Sequence, residues 1–283
     1  MKKTICLWAL LLIVVSCTND DNYNDEHGDK AVIPPKGRII RIMTYNIYGA
    51  RATSPANAAD LDALAEVIRR QDPDFVTLNE VDVFTNRTGK DVHQARDLAA
   101  KLGMEWHFSK AIDRDGGEYG EGVTTRKKAV NKFSVALPKG VGAEPRVLVV
   151  MEMEDYVICT SHLDHVSSEA QLGQVELITK TMKERYGDSG KPVFLGGDMN
   201  ATPSSETGKL LQKDWEILTI TGFGTFPSDN PSKCIDYIMQ LKGTPKCEVV
   251  GSQILRWFKS GDVTKASDPL PVMLDIKLPA KNK

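Results

Sequence analysis

Polar side chains recur at the points where apolar, strand-like segments of this 283-residue sequence begin or end. Carboxylate and amide oxygens gathered at one edge of a sheet form a site for a hard cation such as Mg²⁺ or Mn²⁺. A histidine beside them suits the handling of phosphate charge or of a proton. A single Asn or Asp at a strand end is more often a turn former than a ligand, but the joint recurrence predicts a metal site. The residues are Asn46, Glu80, His162, Asp164, His165, Asp198, Asn200, Asp236 and Asp268.

The segments that must position these side chains read as many strands with a few interspersed helices. The alternating stretch GRIIRIMTYN ends at Asn46, PDFVTLNE ends at Glu80 and PVFLGGD ends at Asp198. A last strand is predicted over 270–278, with Asp268 at its entry. Apolar spacing and capping residues predict helices over 57–71, 92–102, 168–186 and about 204–212. This order is typical of stacked sheets with helices on the outside.

The composition favours one globular domain. Hydrophobic residues make up 41% of the chain and charged residues 26%, and no internal repeat is visible, so a single domain over 38–280 is predicted. The formal net charge is −2, and it becomes −4 once Lys2 and Lys3 are removed with a leader. That balance argues against a surface that wraps nucleic acid, although it allows a nuclease with a local basic strip. Neither a glycine-rich phosphate loop nor zinc-ligand spacing is present in the sequence.

Residues 1–17 have the form of a bacterial lipoprotein signal peptide. A positive start is followed by an apolar run over 5–15, which is too short for a comfortable membrane span. Ser16 and Cys17 resemble a lipobox, so Cys17 is predicted to become the lipidated N-terminus, and 18–37 reads as a polar tether. A buried core helix is the alternative for the apolar run. The leader predicts an outer-membrane lipoprotein, periplasmic or surface-exposed, that is held at the membrane by its lipid anchor.

Six short motifs occur in the order found in the endonuclease/exonuclease/phosphatase superfamily, which the sequence resembles over about 38–278. GGDMN followed by IDYI is the most specific part of this resemblance. It implies an α+β fold of two packed, mainly antiparallel β-sheets flanked by helices, a four-layer α/β/β/α sandwich. It also implies a hydrolase that cleaves a P–O ester by metal-assisted attack of water. The motifs are TYNI (44–47), LNEVD (78–82), SHLDH (161–165), GGDMN (196–200), IDYI (235–238) and SDPLPV (267–272).

The resemblance assigns a metal site and a water site residue by residue. Glu80 is implied as the principal ligand of Mg²⁺ or Mn²⁺, with Asn46 and Asp268 beside it. Asp198 is implied to orient or deprotonate the attacking water. Asn200 is implied to hold that water or the substrate phosphate.

The remaining implied catalytic residues include a departure from the family pattern. His162 is implied to stabilise the phosphoryl oxygens as charge develops. Asp236 matches the aspartate that orients a histidine in the family, but Pro269 stands where that histidine belongs. Because proline neither donates nor accepts a proton, the rate is expected to fall by about 10²–10⁴-fold. Asn79 replaces the usual glutamine, and Glu121 stands where an amide is common.

Two functions therefore stay open. The first is a metal-dependent phosphohydrolase or phosphodiesterase of reduced activity. The second is a catalytically impaired relative that binds a phosphorylated ligand at the cell surface. His165 is a candidate substitute for the missing histidine and a candidate substrate contact. Arg126 is a candidate phosphate contact, although a solvated strand edge is the more ordinary reading of TTRKK. The expected partner is a phosphate ester, with a lipid head group or small ester favoured over nucleic acid, and the chain is expected to be a monomer.

Overall fold

The computed structural model describes residues 38–51, 59–256 and 263–280, and these form strands and helices in alternating groups. The strands are β1 Ile39–Asn46, β2 Phe75–Val83, β3 Glu105–Arg114, β4 Gly117–Thr125, β5 Asn131–Ala136, β6 Val147–Glu152, β7 Val157–Thr160, β8 Val193–Asp198, β9 Trp215–Ile217, β10 Asp236–Leu241, β11 Glu248–Ile254 and β12 Val272–Lys277. The helices are α1 Leu61–Gln71, α2 Gln94–Leu102, α3 Ser168–Tyr186, α4 Glu206–Asp214 and α5 Val263–Ala266, with a 3-10 turn over Tyr48–Ala50.

The strands form two six-stranded sheets. The first has the order β11-β12-β1-β2-β4-β3, and the second has the order β5-β6-β7-β8-β10-β9. Each sheet contains one parallel pair, β1 with β2 and β7 with β8, and its other pairs are antiparallel. The prediction of two mainly antiparallel sheets with helices outside them is therefore confirmed.

Three apolar cores separate the four layers. Helices α1, α2 and α5 cover the outer face of the first sheet, and α3 and α4 cover the outer face of the second. The middle core lies between the sheets and contains Ile42, Phe194 and Ile238. Side chains on a strand alternate between its two faces. Residues that lie two positions along the same strand from any of these three therefore also point into the middle layer.

The helix boundaries follow capping side chains. Helix α3 is capped by Ser167, whose Oγ accepts a hydrogen bond from the Ala170 N–H at 3.1 Å, so the cap lies one residue before the Ser168 expected from the sequence. His93 caps α2 through Nδ1 and delays its start to Gln94. The start of a helix is hard to place from sequence alone when its capping side chain also packs against residues of other elements.

Two site residues differ from their predicted places at strand ends. Glu80 lies inside β2, where the pairing with β4 shifts between Leu78 and Val81, and its φ is +57°. The strand therefore bulges at Glu80 instead of ending there. Asp268 lies four residues before the start of β12 at Val272. The predicted leader, Cys17 and tether lie outside the described residues, and none of the described helices is long and apolar enough to cross a membrane.

Candidate active site

The inner faces of the two sheets bring their polar residues together at one edge of the middle layer. Asn46 and Asn79 are register partners in the first sheet, and Asp198 and Asp236 are register partners in the second. Gly196 precedes this edge, and a Cβ atom there would lie 2.9 Å from Thr77 Oγ1 on the opposite sheet. The glycine therefore lets the sheets approach closely just before the site.

Asn46 links two carboxylates that come from different sheets. Its Nδ2 donates to Glu80 Oε1 at 2.9 Å and to Asp198 Oδ2 at 3.1 Å. Its Oδ1 accepts a hydrogen bond from the Tyr48 N–H at 3.0 Å. Burial raises the pKa of Glu80, and it raises the pKa of Asp198 to about 6. The half-buried Glu80 and the buried Asp198 both have raised pKa values, so their negative charges are poorly compensated, and a bound cation would compensate them.

The donor set fits a magnesium-type site. Within the described part of the chain, no group of three or more His, Cys, Asp or Glu side chains is arranged to hold a metal. Mg²⁺ is commonly held by one or two carboxylates with several waters retained, so a full protein cage is not required. Glu80 and Asp198 supply two such carboxylates, whereas Asn46 turns its amide nitrogen toward them and its oxygen toward the Tyr48 N–H.

Asp268 is fixed beside this set by its own neighbours. Its Oδ1 accepts a hydrogen bond from the Ser228 N–H at 2.7 Å. The preceding residue, Ser267, donates from Oγ to the Asn46 carbonyl oxygen at 2.6 Å, which ties this segment to the end of β1. The charge of Asp268 helps to raise the pKa of Asp236, so the segment faces the second sheet as well.

Asn200 and His162 adjoin Asp198. The Asn200 N–H donates to Asp198 Oδ1 at 2.8 Å, with Asn200 at a φ of +46°. Asn200 Nδ2 lies 2.9 Å from the Leu163 carbonyl oxygen and 2.8 Å from His162 Nε2. Burial, assisted by Arg146, holds the pKa of His162 well below its usual range. His162 is therefore a neutral hydrogen-bonding group near neutral pH, not a fixed cation.

Asp236 has a hydroxyl partner. Thr225 Oγ1 donates to Asp236 Oδ2 at 2.6 Å, and Pro269 is buried after a cis peptide bond to Asp268. Burial and the nearby Asp198 raise the pKa of Asp236 well above its usual range. Thr225 could not be predicted from the sequence, because a threonine in a loop eleven residues before its partner has no distinguishing spacing.

Three arginines beside Glu80 were also not predicted from the sequence. The guanidinium groups of Arg146, Arg87 and Arg114 all oppose the rise in the Glu80 pKa that burial causes. Arg146 is 2% exposed, and Arg87 and Arg114 lie over the ring of Tyr119. Arg146 directly precedes an apolar strand, where a charged residue usually marks a solvent-exposed start, so its burial could not be inferred.

Arg126, a candidate phosphate contact, is not brought to the site. It lies at the far end of β4, where its Nε donates to the Pro73 carbonyl oxygen at 2.9 Å and its guanidinium pairs with Asp72. Five residues of β2 separate that end from Glu80, about 16 Å along a strand. His165 does adjoin the site, through a contact with Arg146.

Comparison with known proteins gives a consistent result. The sequence model of the Endonuclease/Exonuclease/phosphatase family matches residues 43–268. A search of curated proteins found no match.

Several solved structures share the fold. An endonuclease/exonuclease/phosphatase from Beutenbergia cavernae DSM 12333 is 21% identical, with a TM-score of 0.65 over 86% of this chain and 72% of that one. A mannosyl-6-phosphatase from Bacteroides thetaiotaomicron VPI-5482 is 19% identical, with a TM-score of 0.64 over 84% and 99%. Sphingomyelinase C from Streptomyces griseocarneus is 15% identical, with a TM-score of 0.61 over 84% and 99%. At these identities the similarity establishes the fold and not the substrate.

Proposed function

Because the family match spans most of its length, this chain belongs to the endonuclease/exonuclease/phosphatase family, and we propose that it is a phosphohydrolase that depends on Mg²⁺ or Mn²⁺. The observation that carries the proposal is the pair formed by the half-buried Glu80 and the buried Asp198, which both accept a hydrogen bond from the amide of Asn46. Glu80 and Asp198 would hold a divalent cation, which would supply polarisation of a phosphoryl oxygen and neutralisation of developing charge.

The side chains around this pair have separate tasks in the proposed reaction. Asp198, held in place by the side chain of Asn46 and the N–H of Asn200, accepts a proton from the attacking water. Asn200 is fixed by Asp198 and directs its amide toward the same space. His162, neutral and buried, offers a hydrogen bond to a phosphoryl oxygen. These groups orient water and phosphate for in-line displacement.

The rival function is binding of a phosphorylated ligand with little turnover. The observation that favours it is the pairing of Asp236 with Thr225, while Pro269 lacks any donor. Loss of a charge-stabilising or acid–base group costs about 10²–10⁴-fold in rate. The water-activating residues are retained, so we favour a slow enzyme over an inert binding protein.

The deciding experiment is a substrate panel. The purified protein is assayed with Mg²⁺, Mn²⁺ or a chelator against a nitrophenyl monoester, a bis-nitrophenyl diester, sphingomyelin, sugar phosphates, nucleotides and DNA. We expect metal-dependent release from at least one ester, abolished by Asp198→Asn. If no ester is cleaved while phosphate still binds in the presence of Mg²⁺, the binding function replaces the enzymatic one.

The substrate proposal is a lipid head group or a small phosphate ester. The acidic net charge of −2 disfavours duplex DNA. Relatives of the same fold include a mannosyl-6-phosphatase and a sphingomyelinase C, which act on these two classes of compound. A duplex cleaved faster than every small ester in the panel would contradict this proposal.

We also propose that Cys17 anchors the protein, as a monomer, to the outer membrane through acyl chains. The leader and the polar segment after it support this location. Several acyl chains acting together anchor firmly, whereas one chain binds only marginally. Cys17→Ala should release the protein into buffer, and wild-type protein that is already soluble without detergent would exclude the anchor.

A further inference from the structure

One guanidinium group joins the two histidines of the SHLDH segment. Arg146 Nη1 lies 3.2 Å from His162 Nδ1, and Arg146 Nη2 lies 3.1 Å from His165 Nδ1. Each terminal nitrogen of Arg146 therefore serves one imidazole ring. Glu144, 3.6 Å from Nη2, adds an ion pair that helps to hold the guanidinium in place.

The chemistry of arginine determines which ring nitrogens carry hydrogen. A guanidinium has only donors and does not lose its proton in proteins. Each of the two contacts is a hydrogen bond only if Nδ1 offers a lone pair. A neutral imidazole has one lone pair and one N–H, so the hydrogen of each ring must then lie on Nε2.

His162 Nε2–H is then a donor without a satisfactory acceptor. The nearest carboxylate oxygen recorded for it, Asp198 Oδ2, is 3.7 Å away, beyond hydrogen-bond range. At 2.8 Å it faces Asn200 Nδ2, which is itself a donor. Turning the Asn200 amide over would not help, because its oxygen would then face the Leu163 carbonyl oxygen at 2.9 Å.

The buried donor of His162 and the half-buried donor of Asn200 face each other and mark a place where an acceptor is missing. A phosphate oxygen beside these two nitrogens, within hydrogen-bond distance of each, would accept from both. On His165 the Nε2 atom lies on the ring edge opposite Nδ1, so it is turned away from Arg146, and this side chain is exposed. His165 therefore has its second donor available at the rim of the same site.

We propose that Arg146 is a positioning residue that fixes His162 and His165 as Nε2–H donors, and that the two rings together bind the phosphate oxygens of the substrate. The inference rests on the proposed function and identifies where its phosphate-binding groups lie. The second imidazole donor then comes from the segment after β7, and it takes over binding that Pro269 cannot provide.

The tautomers are tested by nitrogen-15 NMR of the histidine side chains. In the wild type, His162 and His165 should each show a protonated Nε2 and an unprotonated Nδ1. Arg146→Gln has a shorter side chain with one donor nitrogen in place of the two that each serve one ring, and it should convert at least one ring to a mixture of tautomers. His93 and His107 are internal references that should not change. A protonated Nδ1 in the wild type overturns the proposal, and so do unchanged tautomers in Arg146→Gln. If Arg146 had only a structural role, its loss would leave the tautomers of both rings unchanged.

The binding role is tested with inorganic phosphate in the presence of MgCl₂. Phosphate should shift the Nε2–H signals of both histidines in the wild type. Glutamine places its amide nitrogen near the position of Nε2, whereas asparagine places it near Nδ1. His165→Asn should therefore weaken phosphate binding by about 10- to 100-fold, the usual range for a hydrogen bond to a charged group, and His165→Gln should weaken it less.

The matched control is Arg185→Gln, which removes an arginine that lies over Phe133, outside the site. It should leave phosphate affinity and both histidine signals unchanged. Phosphate binding that shifts neither histidine, or equal losses in His165→Asn and His165→Gln, overturns the binding role. Both measurements are made without turnover, so a protein that binds phosphate in this way but cleaves no ester would contradict the proposed enzyme and not this inference.

Discussion

The side-chain amide of Asn79 donates a hydrogen bond of 2.6 Å to Oε2 of Glu121. Each residue by itself departs from the family pattern that the sequence resembles, in which a glutamine and an amide are usual. In the fold they are partners, and the shorter side chain at 79 faces the longer one at 121. The other Glu121 oxygen, Oε1, is buried and has no hydrogen-bond partner, and burial raises the pKa of Glu121 to about 8.

Glu121→Gln should stabilise the protein increasingly as pH rises. The folded state keeps the proton of Glu121 up to about pH 8, whereas the unfolded chain loses it near the ordinary glutamate pKa of 4.5. The contribution of Glu121 is therefore fully present below the unfolded pKa and is lost as pH rises through the folded one. Relative to wild type, the mutant's free energy of unfolding should rise between pH 5 and pH 8 by up to about 1.4 kcal/mol per pH unit, and level off above.

Urea denaturation at several pH values, in the presence of a chelator, checks this trend. Glu152→Gln is the matched control, because hydrogen bonding to Lys191 lowers the pKa of Glu152. The stability that Glu152 contributes is present above its unfolded pKa and lost as pH falls, so its mutant should be destabilised with no gain toward pH 8. A Glu121→Gln difference that stays constant with pH would show that Glu121 is ionised in the folded state.

Glu80→Gln should weaken magnesium binding much more than it weakens the fold. The glutamine oxygen can still accept from Asn46 Nδ2, so packing is kept while one negative charge is lost. Wild-type protein titrated with MgCl₂ should gain thermal stability by mass action, and the mutant should gain much less. Glu66→Gln removes an exposed carboxylate that pairs with Arg69 and Arg70, and it should keep the full gain. Equal gains in all three proteins would remove Glu80 from the metal site.

Pro269→His should increase metal-dependent diester hydrolysis by at least about tenfold. Thr225 occupies Oδ2 of Asp236, which leaves Oδ1 to orient the introduced imidazole. Asp236→Asn alone should change the activity of the wild type little, but combined with Pro269→His it should abolish the gain. If the two changes acted independently, their effects on the rate would simply add in free energy. The assay is turnover of bis-nitrophenyl phosphate. If the proline form is the faster one, the site has another proton donor, with His165 as the first candidate.

Arg87→Met should destabilise the fold by about 3–5 kcal/mol, because it leaves a buried carboxylate without its partner. Arg87 Nε and Nη2 each donate to the fully buried Asp82 at 2.7 Å. The added change Asp82→Asn should recover much of the loss, since the buried charge is then removed. Arg70→Met on the exposed face of α1 should cost no more than about 0.5 kcal/mol. A small loss in Arg87→Met, measured by urea denaturation, would mean that water reaches Asp82.

Much of the fold could be predicted from sequence periodicity. Alternation predicted β1 and a short apolar run predicted β8, but a strand that is buried on both faces does not show in its sequence which face points inward. The bulge at Glu80 was not visible, since an extra residue in one strand depends on the pairing with β4. A bulge is a property of two strands, and a single strand's sequence does not report it.

The site was only partly predictable for a related reason. Motif order picked out Asn46, Asp198 and Asn200, which the fold brings into contact. It did not find Arg146 or Thr225, whose roles arise from contacts with residues 16 and 11 positions away. Arg126 was chosen for its charge alone, and the fold places it at the wrong end of its strand.

The close approach of the two sheets at Gly196 has a mechanical consequence. Asn46 and Glu80 belong to the first sheet, whereas Asp198 and Asp236 belong to the second. The position of the first pair relative to the second therefore depends on how the two sheets pack against each other through the middle core. A change of side-chain volume at Ile238 or Phe194, which belong to that core, would displace Asp198 relative to Glu80 without altering any residue of the site.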